Sequence, residues 1–550
     1  MKRITQILLT ALLFCGITFA QKKTTATPKT PFVWEAANVY FIVTDRFNNG
    51  DKTNDENYHR NKPTGKLRGF EGGDIRGIIQ KLDEGYFTNL GINVIWMTPV
   101  VEQIHSGVDE GTGYTYGFHG YWTRDWTALD PSYGTKKDLA ELVQKAHAKG
   151  IRIMLDAVIN HTGPVTDEDS VYPSDWVRTS PKCVYNSYDT YINCTLVENL
   201  PDVKTESNEN VELPLFLANK WKKEGRYDKE MASLNAFFKK TGYPRAPKYY
   251  IMKWLADYIT EFGIDGYRVD TAKHTTEDVW ADFKKVCDRT FAEFKKHNPK
   301  KVLDTNPFFT VGEVYGYNIG NKKLYDFGDK KVNYYENGFT GLINFDFRNE
   351  AKMNYEELFS KYNDILQNDL KGNTVMNYVS SHDDGYPFDK KREKTFESGT
   401  KLLLAPGISQ VYYGDESARP LDIEGTQGDA TLRSFMNWED ITNNATTKEV
   451  MAHWQKLGTF RKKHAAVGAG VHAQISAAPY VFSRTFIKGK YSDKVVVGLD
   501  LDKGEKSITV GTIFANGTKV KDFYSGKTAT VVKGMVSLDT AYGIVLLEKL

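Results

Sequence analysis

Residues 266–274 read Gly266-Tyr-Arg268-Val-Asp270-Thr-Ala-Lys273-His274. A short run opens on glycine, carries an inward-facing arginine and breaks into polar residues at Asp270. It lies between two helical patterns, 248–262 and 276–297. A strand framed by helices on both sides is the signature of a parallel sheet with helices packed on its faces. The same alternation runs outward in both directions. Strand-like runs fall at 39–47, 93–100, 152–161, 309–315, 341–347, 375–380 and 410–413, with further helical stretches at 135–149 and 350–370. Such units would fit an open doubly wound sheet or a closed barrel. Eight strands favour the α/β (β/α)8 TIM barrel.

One connection is far longer than the others. Residues 162–248, rich in Gly, Pro, Asn, Asp and Tyr, separate the third strand from its helix, and loops of that length are uncommon unless functional. They are expected to form an inserted lobe at the C-terminal face of the barrel, which itself comprises 21–161 and 249–464. Beyond the helix at 447–464, runs at 480–486, 494–501, 507–510 and 543–547 are β-rich without helical periodicity, so 465–550 is expected to be a C-terminal β-sandwich.

Lys2 and Arg3 precede an apolar run over 7–19, followed by Ala20 and then polar residues. This describes a cleavable export signal covering 1–20, and the run is short for a membrane span. Phe14 before Cys15 argues against a lipoprotein signal, which wants a small residue there. No other stretch suggests a transmembrane helix, so a soluble periplasmic or secreted protein is expected. In an oxidising compartment Cys183 and Cys194, in a polar stretch, are expected to form a disulfide rather than stay free thiols. Cys287 falls in a helical apolar pattern and reads as a buried, inert thiol. Of 550 residues, 72 are Lys or Arg and 70 Asp or Glu, a near-balance that gives no reason to invoke nucleic acid or an anionic membrane. The 32 Tyr, 30 Phe and 10 Trp supply flat apolar faces that suit sugar rings, although most are expected to serve the core.

In a barrel, functional side chains sit where strands end. The third strand runs Asp156-Ala-Val-Ile-Asn160-His161, the fourth reaches Asp270, the fifth ends Gly312-Glu313-Val-Tyr315, and the seventh Ser381-His382-Asp383-Asp384. Four strand ends bearing acids or histidines are more than solvation requires. Hydrolysis of a glycoside by a retaining route explains them, because it needs one carboxylate as nucleophile and one protonated carboxylic acid. Asp270 suits the nucleophile, with Arg268 on the same side of the strand keeping it ionised. Glu313 suits the acid/base, its proton retained by burial and nearby carboxylates. Asp383 suits gripping hydroxyls and stabilising positive charge, and His161 and His382 can donate to hydroxyls of the same ring, unless they are structural or metal-bound.

These four segments resemble, in order, the signature regions of the α-amylase superfamily, most of all its bacterial periplasmic members, from about residue 39 to the chain end. The resemblance implies the same three roles for Asp270, Glu313 and Asp383. It departs at Ser381, where the family usually has Asn, which touches only a local hydrogen bond. It further implies that His119, Tyr121 and Trp122 bind the sugar at the cleavage point. Lys273-His274 resembles the pair that holds the next glucose in endo-acting members. The resemblance also implies calcium, held first by Asn160, Asp202 and the carbonyl of His274. A second ion is implied at Asn49, Asp51, Asn54 and Asp55 with Gly72 and Asp74, a cluster that is otherwise an ordinary turn. No Cys or His set suggests zinc. The implied function is endo-acting hydrolysis of α-1,4-glucosidic bonds in starch or maltodextrin by a monomer. The alternatives are a cyclodextrin- or pullulan-cleaving or transglycosylating relative and, remotely, a non-catalytic glucan-binding protein that kept the fold.

Overall fold

The computed structural model describes residues 30–550, so the export signal expected over 1–20 lies outside the described residues. Eight strands close into a parallel barrel: β1 (Asn38–Ile42), β2 (Val94–Met97), β3 (Arg152–Ala157), β4 (Gly266–Val269), β5 (Phe309–Gly312), β6 (Gly341–Asn344), β7 (Thr374–Tyr378) and β8 (Ile408–Tyr412). Each pairs in parallel with its neighbours in sequence, and β1 meets β8 to close the ring. Every residue of these strands is buried, which is why they read as apolar runs and not as alternating ones.

Most of the strands end earlier than their apolar runs suggest. After Ala157 the chain leaves the ladder, yet Val158 and Ile159 stay buried, and Thr44–Phe47, expected to be strand, turns into a single helical turn. Burial continues past the hydrogen-bonded ladder because loops at this face are themselves covered.

The helices follow their sequence signals closely. α1 (Lys136–Ala148) begins with a capping box between Thr135 and Asp138. α2 (Pro247–Phe262) has proline in its first turn and ends at Gly263, φ 73°. A Cβ at Gly263 would stand 2.2 Å from the Phe294 ring on α3 (Glu277–His297), so this position requires glycine twice over. Cys287 is buried on α3 and free.

The segment after β3 holds the Cys183–Cys194 disulfide and a two-stranded ladder, Val177–Arg178 against Asp202–Val203. Read from sequence as loop-rich, it also contains helices at Leu215–Lys223 and Tyr227–Thr241. Their many lysines hide the pattern. Only Leu217 with Trp221, and Leu234 with Phe238, repeat four apart as a buried stripe. Trp176 from this segment lies parallel to Trp254 of α2, ring centroids 6.0 Å apart, which fixes the insert to the barrel wall.

After α4 (Ala445–Lys463), a six-stranded antiparallel sheet and a two-stranded one, Gly504–Thr509 against Met535–Thr540, enclose a separate core of Val481, Val496, Ile508, Val536 and Val545. Among the described residues no helix is long and apolar enough to cross a membrane.

Candidate active site

Asp383 Oδ1 stands 3.6 Å from His382 Nδ1, while Arg268 gathers Asp270 and Glu313, two of the acids singled out at strand ends, together with Asp156 of β3. Arg268 Nη1 stands 2.6 Å from Asp270 Oδ1 and 3.1 Å from Asp156 Oδ1, and its Nη2 stands 2.9 Å from Glu313 Oε2. The guanidinium is buried and lies 5.5 Å from the Tyr121 ring centroid and 5.5 Å from that of Trp96. Arginine suits this place because its planar fork can serve several carboxylates at once and stays charged when buried.

The carboxylates around it differ in their proton affinity. Burial pushes Asp270 up, but Arg268 and His161 outweigh it, with hydrogen bonds from Arg268 and Glu313, and hold it below the usual carboxylate range. Glu313 moves the other way. Burial pushes it well up against the pull of Arg268, and the charges of Asp270 and Asp383 add to the rise. Two acids on one arginine are thereby driven apart, one toward its ionised form and the other toward its protonated form. Asp383 is raised as well, by desolvation first, but its side chain keeps 34% of its surface open to the cleft, and water there screens the effect.

The chain also bends to serve Glu313. Thr271, just past β4, has φ 47°, a left-handed conformation that a β-branched residue rarely adopts. Its amide donates to Glu313 Oε2 at 2.7 Å.

Three histidines line the same hollow. Burial holds His119, His161 and His382 below the ordinary imidazole range, so they are neutral rings that can donate to or accept from hydroxyls. Tyr121 lies against His382 with centroids 5.3 Å apart, and its backbone amide donates to His119 Nδ1 at 3.1 Å. Trp122 does not share this face. It is buried with Ile104 and Leu200 and meets His119 only edge-on. Lys273 Nζ donates to the Tyr315 carbonyl at 2.9 Å and lies 4.9 Å from the Tyr191 ring centroid, and burial lowers it to about 8. His274 Nδ1 contacts the Tyr191 carbonyl at 3.0 Å.

Two further residues complete the site without having been assigned a role from the sequence. Asp156 accepts from Tyr121 Oη at 2.9 Å and Trp96 Nε1 at 3.2 Å. Burial pushes its carboxyl up to about 7, Arg268 opposing and Asp270 adding to the rise. Inward-pointing alternation along β3 could have found it. Arg433, whose Nε donates to the His382 carbonyl at 3.0 Å and whose Nη2 pairs with Asp429 at 2.6 Å, ends a short 3-10 helix, Gly428–Arg433, that nothing in the sequence marks.

Of the two expected calcium sites, the first does not fit an ion. Asp202 lies 2.9 Å from Arg178 Nε, and Asn160 Oδ1 accepts the Thr275 hydroxyl at 3.1 Å. The second fits better. Asp55 accepts from Asn49 Nδ2 at 2.8 and 3.0 Å, and a Cβ at Gly72 would crowd both groups, but Asn49 Oδ1 and Asn54 Oδ1 are buried without any hydrogen-bond partner. Asp74, by contrast, is occupied in accepting from the amides of Gly50, Asp51 and Gly77, and Asp51 from Thr53. No three Asp, Glu, His or Cys side chains gather as a metal site among the described residues, so an ion would rest mainly on amide and main-chain oxygens.

With this geometry in place, comparison with known proteins is informative. Residues 41–465 match the α-amylase catalytic-domain family. The chain is 34% identical over 525 residues to a periplasmic α-amylase of Escherichia coli K12, covering 85% of this chain and 72% of that one. It is 29% identical over 484 residues to a cyclomaltodextrinase of Thermoanaerobacter pseudethanolicus, covering 84% of this chain and 69% of the relative. A cyclomaltodextrin glucanotransferase of Geobacillus stearothermophilus is 26% identical over 471 residues, covering 82% of this chain but 58% of the relative. The crystal structure of an Anoxybacillus α-amylase has a similar fold, TM-score 0.63 at 24% identity, covering 94% of this chain and 99% of the other.

Proposed function

Because this chain belongs to the α-amylase family of glycoside hydrolases, we propose that it cleaves internal α-1,4-glucosidic bonds of starch and maltodextrins with retention of configuration. The observation that carries this reading is the sharing of Arg268 between Asp270 and Glu313, with proton affinities pushed in opposite directions. In the first step the Asp270 carboxylate attacks the anomeric carbon while Glu313 gives its proton to the departing glycosidic oxygen. The carbon–oxygen bond breaks and a glucosyl ester forms on Asp270. In the second step Glu313, now a carboxylate, takes a proton from water. The water oxygen attacks the same carbon and releases Asp270. Asp383 stabilises the positive charge that develops on the ring, and His119, His161 and His382 hold its hydroxyls. Tyr121 offers its face to the sugar, Asp156 and Arg268 fix these groups in place, and Trp122 supports His119 from behind.

Lys273 and His274, beside Tyr191, are suited to hold the glucose beyond the cleaved bond, which supports internal cleavage. Similarity to a cyclomaltodextrinase and a glucanotransferase favours one second reading, in which cyclic substrates are opened or a sugar replaces water in the second step. Product profiles on amylose, pullulan and cyclodextrin test the choice. Mixed short linear products from amylose support the proposal, whereas cyclic or lengthened products overturn it.

We also propose that the N-terminal cluster around Asn49, Asn54 and Asp55 takes calcium. The ion would supply binding energy that favours the folded state, held by the Asn49 and Asn54 amide oxygens, the Asp55 carboxylate and the Gly72 main chain. The Cys183–Cys194 bridge and the periplasmic relative support export of the protein.

A further inference from the structure

One of the joints between the barrel and the insert after β3 is a short backbone seam. His161 forms a bridge with Asp202, the Val203 amide donates to the Asn160 carbonyl at 2.8 Å, and the Thr162 amide donates to that of Pro201 at 3.0 Å. Asp202 is buried in this seam, 3% exposed. A buried carboxylate is stabilised in its charged form by a positive partner and otherwise holds its proton. The family resemblance suggests calcium, but another cation already faces it.

Arg178 is the direct cross-strand neighbour of Asp202. Its Nε stands 2.9 Å from Asp202 Oδ2, its Nη1 donates to the Asn193 carbonyl at 3.2 Å, and its Nη2 pairs with Glu206. One guanidinium thus collects oxygens from three places: the seam strand, the turn before Cys194, and the segment that follows the seam. The side chain is only 16% exposed. The Asn160 side-chain oxygen accepts from Thr275 and its main-chain oxygen from Val203, while its Nδ2 is buried without a partner.

We propose that Arg178, and not calcium, is the resident cation of this seam, drawing together three segments of the insert where it meets the barrel. A dication on Asp202 would stand against a buried guanidinium of the same sign, where little water can screen the repulsion. Arg178 meets these oxygens through hydrogen bonds to Asn193 and Glu206 and an ion pair with Asp202, its Nε making no hydrogen bond, and none of this depends on free calcium.

The test counts bound calcium in the full chain carrying Asp55→Ala, which weakens the N-terminal cluster, with and without Asp202→Asn. After equilibration in micromolar free calcium, the two proteins should carry the same amount by elemental analysis. A calcium ion that disappears with Asp202→Asn overturns the proposal. Arg178→Gln is expected to melt several degrees lower, and added calcium should then restore part of the loss only while Asp202 is intact. An Arg178→Gln protein that melts with the parent also overturns it. If that variant does not fold, Arg178→Lys keeps the charge but not the fork and should show a smaller fall. None of these readouts depends on hydrolytic activity.

Discussion

The amide of Thr271 donates to Glu313 Oε2 at 2.7 Å, and it can do so only because Thr271 holds a left-handed backbone conformation, φ 47°. Its hydroxyl is buried without a partner, a second local cost. Strain of this kind is on the order of 1–3 kcal/mol and persists where the surroundings enforce it. Thr271→Gly should relieve both costs at the expense of about 0.5–1 kcal/mol of added backbone freedom. We expect a melting temperature equal to or above the parent's together with a lower kcat, because the amide aimed at Glu313 loses its fixed direction. A variant that gains activity along with stability would show the strain to be incidental.

The opposite shifts of Asp270 and Glu313 predict different failures. Asp270→Asn removes the nucleophile and should cost roughly 10⁴-fold or more in kcat. Glu313→Gln removes the proton donor, a loss of roughly 10²–10⁴-fold on starch. With a glucoside whose leaving group needs no proton, the first step of Glu313→Gln should be largely restored and the second should then limit. Glu313→Gln should melt close to the parent, since it preserves size and replaces an acid driven toward its neutral form, whereas Asp270→Asn removes a charged partner of buried Arg268 and should melt lower. Starch assays, pre-steady-state bursts and thermal melts check the three points.

The pH profile follows from the same shifts. Asp270 lies below the usual carboxylate range, so activity on the acid side should persist until the medium is acidic enough to protonate it. Glu313 lies well above the usual range, so activity should fall on the alkaline side as its proton is lost. In Asp383→Asn one of the charges that raises Glu313 is gone, and the alkaline limb of kcat/KM should move to lower pH. An alkaline limb that stays put in that variant would assign it to another group.

Much of this was legible in the sequence, for a physical reason. Barrel strands are buried on both faces, so they stand out as apolar runs, and acids where such runs end are conspicuous. That exposes Asp270, Glu313 and Asp383. Strand ends were less legible because Val158 and Ile159 are as apolar as the ladder they follow. The lysine-rich helices of the insert were missed because their buried stripe is narrow. Arg433 and Arg178 were missed because a lone arginine becomes informative only when the fold brings carboxylates to it.

Calcium should stabilise the protein through the N-terminal cluster. At a concentration 100 times its Kd, one bound ion adds about 2.7 kcal/mol to stability. Chelation should therefore lower the melting temperature, and Asp55→Ala should remove most of that sensitivity while Asp202→Asn leaves it in place. Calorimetry with and without chelator decides the matter. An unchanged melt of the parent in excess chelator would count against a stabilising ion.

His464 ties α4 to the C-terminal sheet, with Nδ1 at 2.8 Å from Asp493 and Nε2 at 2.8 Å from Glu548, which also pairs with Lys463. Burial pulls the imidazole down, but hydrogen bonds and charge from the two carboxylates outweigh it and leave it raised. A raised folded-state value means that this contribution is complete below the unfolded value, about 6.5. It fades as pH climbs through the folded one. At pH 6, His464→Ala should lose about 1.5–3 kcal/mol, the range for hydrogen bonds to charged groups, together with a packing cost. His464→Gln, which retains one donor and no charge, should fall between Ala and the parent at pH 6 and approach the parent at alkaline pH, once the imidazole is neutral. Calorimetric melts of the three proteins across that window would reveal the convergence. A parent–Gln gap that stays constant with pH would mean that His464 packs without carrying charge.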